Sequence, residues 1–207
     1  MFAVSLLAVT FVSFLLIITI DPIIILFVDQ FSFSDTLVIG LQTASDIFDP
    51  VLITTIATAF FLLFTAQSYF TSNNLWHSQP VYFCGSVILS FIITGGLKVV
   101  LGRYRPELLF EDNMYGFSIF SFDQNHHSFP SGHAAITGTL WFSWYYFYQN
   151  RLVLSAITII LILIIPGRLV LGDHFPSDII FGLFVAYTSA YSAHILYREK
   201  TGEPQQV

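Results

Sequence analysis

Long apolar runs separated by short polar breaks dominate this sequence. Of its 207 residues, 55% are hydrophobic and only 10% are charged, whereas a soluble globular domain carries about 25% charged residues. The runs are about 20 residues long, which suits membrane-spanning helices, and they lack the alternation over about ten residues that marks a transmembrane barrel. The pattern therefore predicts an all-α integral membrane protein, a polytopic helix bundle with about six transmembrane helices.

Six segments are candidate spans, at about residues 2–28, 50–70, 80–101, 132–148, 152–171 and 175–197. No lysine or arginine precedes Lys98, so the first run lacks the basic start of a signal peptide and is interpreted as a retained span. Asp21 interrupts this run and is interpreted as a locally satisfied or interfacial carboxylate, with a functional role left open. The polar loop 29–49 is predicted to hold a short surface helix. Because no internal repeat or soluble segment is evident, residues 1–207 are predicted to form a single membrane domain.

Charge and cysteine content exclude several classes of function. The net charge of −6 comes mainly from carboxylates in polar loops, so no basic face is available for a nucleic-acid partner. The single cysteine, Cys84, excludes an internal disulfide and is interpreted as a packing residue. The paired histidines His126 and His127 suggest a metal site, but no cysteine or carboxylate lies at a fitting spacing. No metal or other cofactor is therefore predicted.

Basic residues cluster at the end of the third apolar segment. Lys98 and Arg105 are close to two helical turns apart, so both can face one side of a helix end that Pro106 stops. Basic residues also complement the negative end of a helix dipole. That simpler explanation accounts for Arg103 but poorly for Lys98, which lies further into the apolar segment. Lys98 and Arg105 are therefore candidate anion ligands.

The fourth apolar segment begins with a sequence suited to anion binding. Pro130, Ser131 and Gly132 precede the apolar residues, and the free N–H groups of a helix start form a natural anion cradle. His133 lies at the same end. The alternative is that Ser131 is an ordinary N-cap and His133 an isolated interfacial imidazole.

A third cluster lies between the last two apolar runs. Arg168, His174 and Asp178 place a cation, an imidazole and a carboxylate together at the edge of hydrocarbon. Such groups are costly to bury unless they are paired, so they indicate function by default. The alternative is that Arg168 snorkels to the interface and Asp178 caps a helix.

Taken together, the segments 98–106, 130–133 and 167–178 resemble, in order and spacing, the tripartite signature of the type 2 phosphatidic acid phosphatase family. The resemblance implies an integral membrane phosphatase that hydrolyses a lipid phosphate or diphosphate in the bilayer through a phosphohistidine intermediate, without a metal. One position departs from the signature: Gly167 stands where the family usually has serine, and the loss of one phosphate hydrogen bond is expected there.

The same resemblance implies a role for each motif residue. His174 is the expected nucleophile, Asp178 fixes its tautomer, and His133 protonates the leaving group. The residues expected to bind the substrate phosphate are Lys98, Arg105, Ser131, Gly132 and Arg168. Two alternatives share these motifs: transfer of the phosphoryl group to a second lipid, and a non-catalytic lipid-phosphate binder or transporter, which would not need both histidines.

The arrangement of loops predicts which side of the membrane carries the site. With six spans, the loop 107–129 and the short link around Asp173 fall on one side, and the basic residues outside the motifs, Arg151, Arg198 and Lys200, fall on the other. The positive-inside rule makes the latter side cytoplasmic and the site extracytoplasmic, that is, periplasmic or luminal. The aromatic loop 107–129 is predicted to cover the site at the membrane surface and to line a lateral entrance for lipid.

Overall fold

The chain folds as an all-α bundle in a computed structural model that describes residues 15–17, 19–71 and 78–202. Within these ranges there are eight α-helices and no strands. The helices are α1 (Asp21–Asp29), α2 (Asp35–Ile47), α3 (Pro50–Thr71), α4 (Gln79–Leu101), α5 (Pro106–Asp112), α6 (Gly132–Phe147), α7 (Arg151–Val170) and α8 (Pro176–Thr201). The predicted fold class is confirmed. The polar loop 29–49 contains a helix, α2, as expected, but this helix packs against α7 instead of lying only at the surface.

Four stretches of the described helices are long and apolar enough to cross a membrane, judged by length and composition. They are Asp35–Phe70, which runs through α2 and α3, and then Gln79–Leu101, Arg151–Val170 and Pro176–Thr201. The fourth predicted span forms α6, which has only 16 residues. Most of the first predicted span lies outside the described residues. The helical membrane bundle is therefore confirmed, while the number of six spans stays a prediction.

Helix α6 lies at the centre of the bundle and packs mainly against α8. Small residues allow this close approach, as is common between helices in membranes. A Cβ added to Gly138 would lie 2.8 Å from the Cβ of Ala186, and one added to Gly182 would lie 2.7 Å from the carbonyl oxygen of Ser131. The close packing of α8 against α6 therefore requires glycine at positions 138 and 182.

The direction of the helices brings the three motifs to one end of the bundle. Helices α4 and α7 finish at this end, whereas α6 and α8 begin there. The opposite ends of α7 and α8 carry the basic residues outside the motifs, Arg151, Arg198 and Lys200. The predicted separation of the two groups of basic residues is therefore present in the fold.

Candidate active site

A cavity of about 370 Å³ opens at the end of the bundle where the motifs meet. Its wall includes six of the predicted site residues, contributed by all three motifs: Lys98, Arg105, Gly132, His133, Arg168 and His174. The remaining two, Ser131 and Asp178, are fully buried behind the wall. The three predicted cations and the two predicted histidines thus face one pocket of a size suited to a phosphate and part of its alcohol.

Each of the three cations in the wall already has a partner. The Lys98 ammonium donates a hydrogen bond to the carbonyl of His127. Arg105 pairs with one oxygen of Asp173 at 3.1 Å, and Arg168 pairs with the other at 2.8 Å. The sequence interpretation did not select Asp173, although its position directly before His174 was a signal. Its carboxylate bridges two guanidinium groups much as a phosphate would.

The path by which Arg105 reaches the cavity differs from the prediction. Helix α4 ends at Leu101, and Gly102 follows with a φ of +53°. Arg105 therefore lies in a loop, as the N-cap of α5, and Pro106 begins that helix instead of only stopping α4. The argument from two helical turns was wrong. The loop backbone places Arg105, whose N–H donates to the carbonyl of Asn125 at 3.0 Å.

His174 and Asp178 face each other at the junction of α7 and α8. The distance from His174 Nδ1 to Asp178 Oδ2 is 3.7 Å, which is longer than a hydrogen bond, and Nδ1 has no other partner among the described residues. Such contacts often shorten when substrate binds. Burial lowers the pKa of His174 to about 3, and the neighbouring carboxylate offsets this only in part. The imidazole is therefore neutral at pH 7, as a nucleophile must be.

His133 contacts helix α2, which the sequence interpretation did not place at the site. The Nε2 atom of His133 lies 3.2 Å from the carbonyl oxygen of Ser45. A carbonyl can only accept a hydrogen bond, so Nε2 carries the proton. Helix α2 thus fixes the tautomer of the proposed proton donor.

Ser131 is the N-cap of α6, as in the simpler of the two interpretations of its position. Its hydroxyl caps α6 by accepting from the N–H of Ala134 at 3.5 Å. Its own N–H donates to the backbone carbonyl of Asp178 at 2.9 Å. The turn before α6 is therefore tied to the first turn of α8.

Two charged residues that the sequence interpretation left aside, Arg103 and Asp21, are fully buried next to Asp178. The Arg103 guanidinium donates to Asp178 Oδ1 through Nη1 and to Asp21 Oδ2 through Nη2, the latter at 2.9 Å. The helix-end explanation for Arg103 was wrong, because α4 ends before it. The signal for Asp21 was available: an ionisable residue that interrupts an apolar run.

The paired histidines have structural contacts in the loop before α6. His126 Nδ1 is 2.7 Å from the hydroxyl of Ser121, and His127 Nε2 is 3.0 Å from the carbonyl oxygen of the same residue. Throughout the described ranges, no group of three or more His, Cys, Asp or Glu residues is placed to hold a metal ion.

The aromatic side chains of the loop 107–129 divide into two groups. Tyr115 and Phe117 contact the Arg103 guanidinium, although the Phe117 ring is also partly exposed. Phe120 and Phe122 are largely exposed. The cavity wall itself receives Gln124 and His127 from this segment, so the loop borders the cavity with polar residues instead of the expected aromatic ones.

An apolar groove between α3 and α4 adjoins the cavity. It has a volume of about 480 Å³ and is lined by Val51, Thr54, Thr55, Thr58, Ala59, Leu62, Ile88 and Phe91. Val51 and Phe91 also line the cavity. The groove therefore leads from the cavity along the surface of the bundle.

The sequence profile of the PAP2 superfamily matches residues 79–201, which include all three motifs. The chain belongs to this superfamily. A lipid A 1-phosphatase of Rhizobium johnstonii is 32% identical over 135 residues, covering 64% of this chain and 52% of the relative. A lipid A 1-phosphatase of Rhizobium etli is 33% identical over 103 residues, covering 49% of this chain and 43% of the relative. The chain thus spans about half the length of these curated relatives, and no solved structure gives a significant match.

Gly167 is the one motif position at which this chain departs from the PAP2 signature. Gly167 is buried, and an added Cβ would lie 3.1 Å from Cδ2 of Leu41 in α2. Leu41 therefore packs closely over the position where the PAP2 signature usually has serine. The helix that holds His133 through Ser45 also covers the one motif position that departs from the family pattern.

Proposed function

We propose that this protein is an integral membrane phosphatase that hydrolyses a lipid phosphate or diphosphate through a phosphohistidine intermediate. The observation that supports this most strongly is the convergence of three cations and two imidazoles, drawn from all three motifs, on one cavity. A phosphate monoester carries up to two negative charges, and arginine is well suited to bind its oxygens in pairs.

In the first proposed step, His174 attacks the phosphorus atom. Because Nδ1 faces Asp178, Nε2 is the ring nitrogen assigned to the attack. The N–P bond forms as the bond from phosphorus to the leaving oxygen breaks. His133 gives a proton to that oxygen, so the lipid leaves as a neutral alcohol or, when the substrate is a diphosphate, as a singly protonated lipid monophosphate.

In the second proposed step, water replaces His174 on phosphorus. His133, which gave up a proton in the first step, accepts one from the attacking water. The N–P bond breaks, inorganic phosphate is formed, and both histidines return to their starting states. Lys98, Arg105 and Arg168 stabilise the charge on the phosphoryl oxygens in both steps, with the N–H groups at the start of α6 as further donors.

The positive charge of the site supports catalysis without a metal. The arginines and Lys98 supply the charge that a divalent ion provides in other phosphoryl-transfer enzymes. The positive-inside argument further supports a site on the extracytoplasmic face, because Arg151, Arg198 and Lys200 lie at the opposite end of the bundle.

A lipid substrate is supported by the groove between α3 and α4. A headgroup phosphate in the cavity could leave its chain in this groove and in the surrounding bilayer. Each CH₂ group kept out of water contributes about 0.8 kcal/mol, so lateral entry avoids a large transfer cost. The two relatives named lipid A 1-phosphatase make a glycolipid 1-phosphate a candidate, beside phosphatidic acid, phosphatidylglycerol phosphate and prenyl diphosphates.

Phosphate release by the purified full chain in detergent tests this function. Long-chain lipid phosphates and glucose 6-phosphate are compared under the same conditions. We expect the lipids to exceed the sugar phosphate by orders of magnitude in kcat/KM. Equal efficiency on both would overturn the lipid assignment and leave the phosphatase chemistry standing.

The same assay separates the two rival functions. A phosphotransferase would move the phosphoryl group to an added acceptor lipid in preference to water. A non-catalytic binder would release no phosphate from any member of the panel.

A further inference from the structure

A chain of buried charges connects α1 to the proposed catalytic pair. Asp21 in α1, Arg103 in the loop after α4 and Asp178 in α8 are each fully buried. Arg103 lies between the two carboxylates and pairs with both. None of the motif assignments includes Arg103 or Asp21.

Arg103 is held by aromatic rings and by hydrogen bonds from both of its terminal nitrogens. Its Cζ atom lies 4.2 Å from the ring centroid of Phe175 and 5.5 Å from that of Tyr115, and Nη2 donates to the Tyr115 hydroxyl at 2.9 Å. Burial alone would lower the pKa of Arg103, but Asp178 and Asp21 raise it on balance. A permanently charged and rigidly packed guanidinium is suited to fix a carboxylate.

The contacts of Asp178 show what this arrangement fixes. Oδ1 accepts from Arg103, whereas Oδ2 accepts from the Ser128 hydroxyl at 2.6 Å and from the Phe175 N–H at 2.8 Å. Oδ2 is also the atom that faces His174 Nδ1. With Oδ1 anchored by Arg103, the rotation of the carboxylate is fixed and Oδ2 stays directed at the imidazole.

Asp21 anchors the other side of the same arrangement. One oxygen accepts the N–H of Ser177 at 3.0 Å, and the other accepts the Ser177 hydroxyl as well as Arg103 Nη2. Ser177 immediately precedes Asp178 at the start of α8, and its hydroxyl also accepts from Arg103 Nη1 at 2.7 Å. Asp21 therefore holds both the guanidinium and the first turn that carries Asp178.

We propose that Arg103 and Asp21 are positioning residues for catalysis: Asp21 holds Arg103, and Arg103 fixes the Asp178 carboxylate that orients His174. This inference rests on the proposed phosphatase function. Neither residue lines the cavity, so both act through Asp178 and leave phosphate binding to the three cations in the wall.

The first test compares Arg103→Lys, Arg103→Met and Asp21→Asn with the wild-type protein. We expect kcat to fall by about 10- to 100-fold, as when a residue that orients a metal-binding side chain is removed, with Arg103→Met worse than Arg103→Lys. KM should stay nearly unchanged, because neither residue lines the cavity in which the phosphate binds. Asp21→Asn preserves the shape of the side chain, so it still tests the proposal if an Arg103 variant does not fold.

A control variant separates positioning from a general loss of stability. The hydroxyls of Ser86 and Ser143 form a buried contact of 2.7 Å, in which Ser86 belongs to α4 and Ser143 to α6, and neither residue lines the cavity. Ser86→Ala should lower the melting temperature and leave kcat unchanged. If kcat in the Arg103 and Asp21 variants follows only the melting temperature, as in this control, the proposal is wrong.

A double-mutant cycle with Asp178→Asn gives the decisive readout. If Arg103 acts through Asp178, the loss of kcat caused by Arg103→Lys should nearly disappear once Asp178 has lost its charge. An undiminished loss in the Asp178→Asn background would overturn the proposal while the phosphatase function stands. A wild-type protein that releases no phosphate would contradict the proposed function and this inference together.

Discussion

The carboxylate of Asp173 forms an ion pair with the guanidinium of Arg168 at 2.8 Å. Its second oxygen pairs with Arg105, so one carboxylate engages two of the cations proposed to bind phosphate. Asp173 directly precedes the proposed nucleophile, His174. In the protein without substrate, Asp173 thus both orders the two arginines and competes for them with an incoming anion.

Removing the Asp173 charge should strengthen anion binding. In Asp173→Asn the two arginines lose a competing carboxylate, so we expect the inhibition constant of vanadate to fall severalfold. Glu107→Gln is the matched control. Glu107 is exposed and, like Asp173, lines a second pocket on the surface beside Arg105, but it forms no ion pair with the arginines among the described contacts. Weaker vanadate inhibition in Asp173→Asn would instead show that Asp173 mainly holds the arginines in place.

Gly102 should be intolerant of any side chain. Its φ of +53° disfavours other residues, and an added Cβ would lie 1.9 Å from the carbonyl oxygen of Ser118. We expect Gly102→Ala to lower the free energy of unfolding by at least about 2 kcal/mol and to reduce activity, because Arg103 and Arg105 follow in the same loop. Gly96→Ala is the control: it lies inside α4 with open space around it, and thermal unfolding should show no loss of stability. Equal effects of the two substitutions would contradict this account of the loop.

Stability should depend on pH through His174. Its pKa of about 3 in the folded protein lies below the value of about 6.5 for an exposed histidine. The unfolded state therefore binds a proton that the folded state excludes. The free energy of unfolding is therefore unaffected by His174 above about pH 6.5. Below that pH it falls by about 1.4 kcal/mol per pH unit until about pH 3, where the folded protein also binds the proton.

The matched variant for this test is His174→Gln, which cannot take up the proton. Thermal unfolding in detergent is measured for both proteins between about pH 7 and pH 5. The wild-type protein should lose more stability than the variant as the pH falls. Parallel curves would show that His174 is not kept neutral by its surroundings.

Activity should not require an added metal. We expect phosphate release to survive EDTA, because three cations surround the phosphate site. Vanadate or tungstate should inhibit by taking up the five-coordinate geometry of the transition state. A strict requirement for magnesium or zinc would contradict the proposed chemistry and would direct attention back to His126 and His127.

The sequence predicted the membrane bundle and the six motif residues of the cavity wall because both are recorded in local patterns. Apolar runs of membrane length define helices without reference to tertiary contacts, and motifs at helix ends identified residues such as Lys98, His133 and Arg168. The mechanism by which Arg105 reaches the site was not predictable in this way, because it depends on a left-handed glycine and a loop that folds back.

The contacts that support the site could not be predicted from the spacing of residues along the sequence. Asp21 and Arg103 are 82 positions apart, and a single sequence does not show which buried charges pair across such a distance. The same holds for Ser45, whose backbone carbonyl contacts His133 whatever its side chain. The contact between Leu41 and Gly167 was likewise not predictable, because it depends on the packing of α2 against α7.

The central claim, that His174 becomes phosphorylated during turnover, is tested most directly by trapping the intermediate. The purified protein is mixed with a long-chain lipid labelled in its phosphate and quenched in alkali, which preserves phosphohistidine. We expect label on His174 in the wild-type protein and in His126→Ala, and neither label nor phosphate release in a folded His174→Ala variant. Phosphate release by His174→Ala at a rate comparable with the wild-type protein would contradict the account.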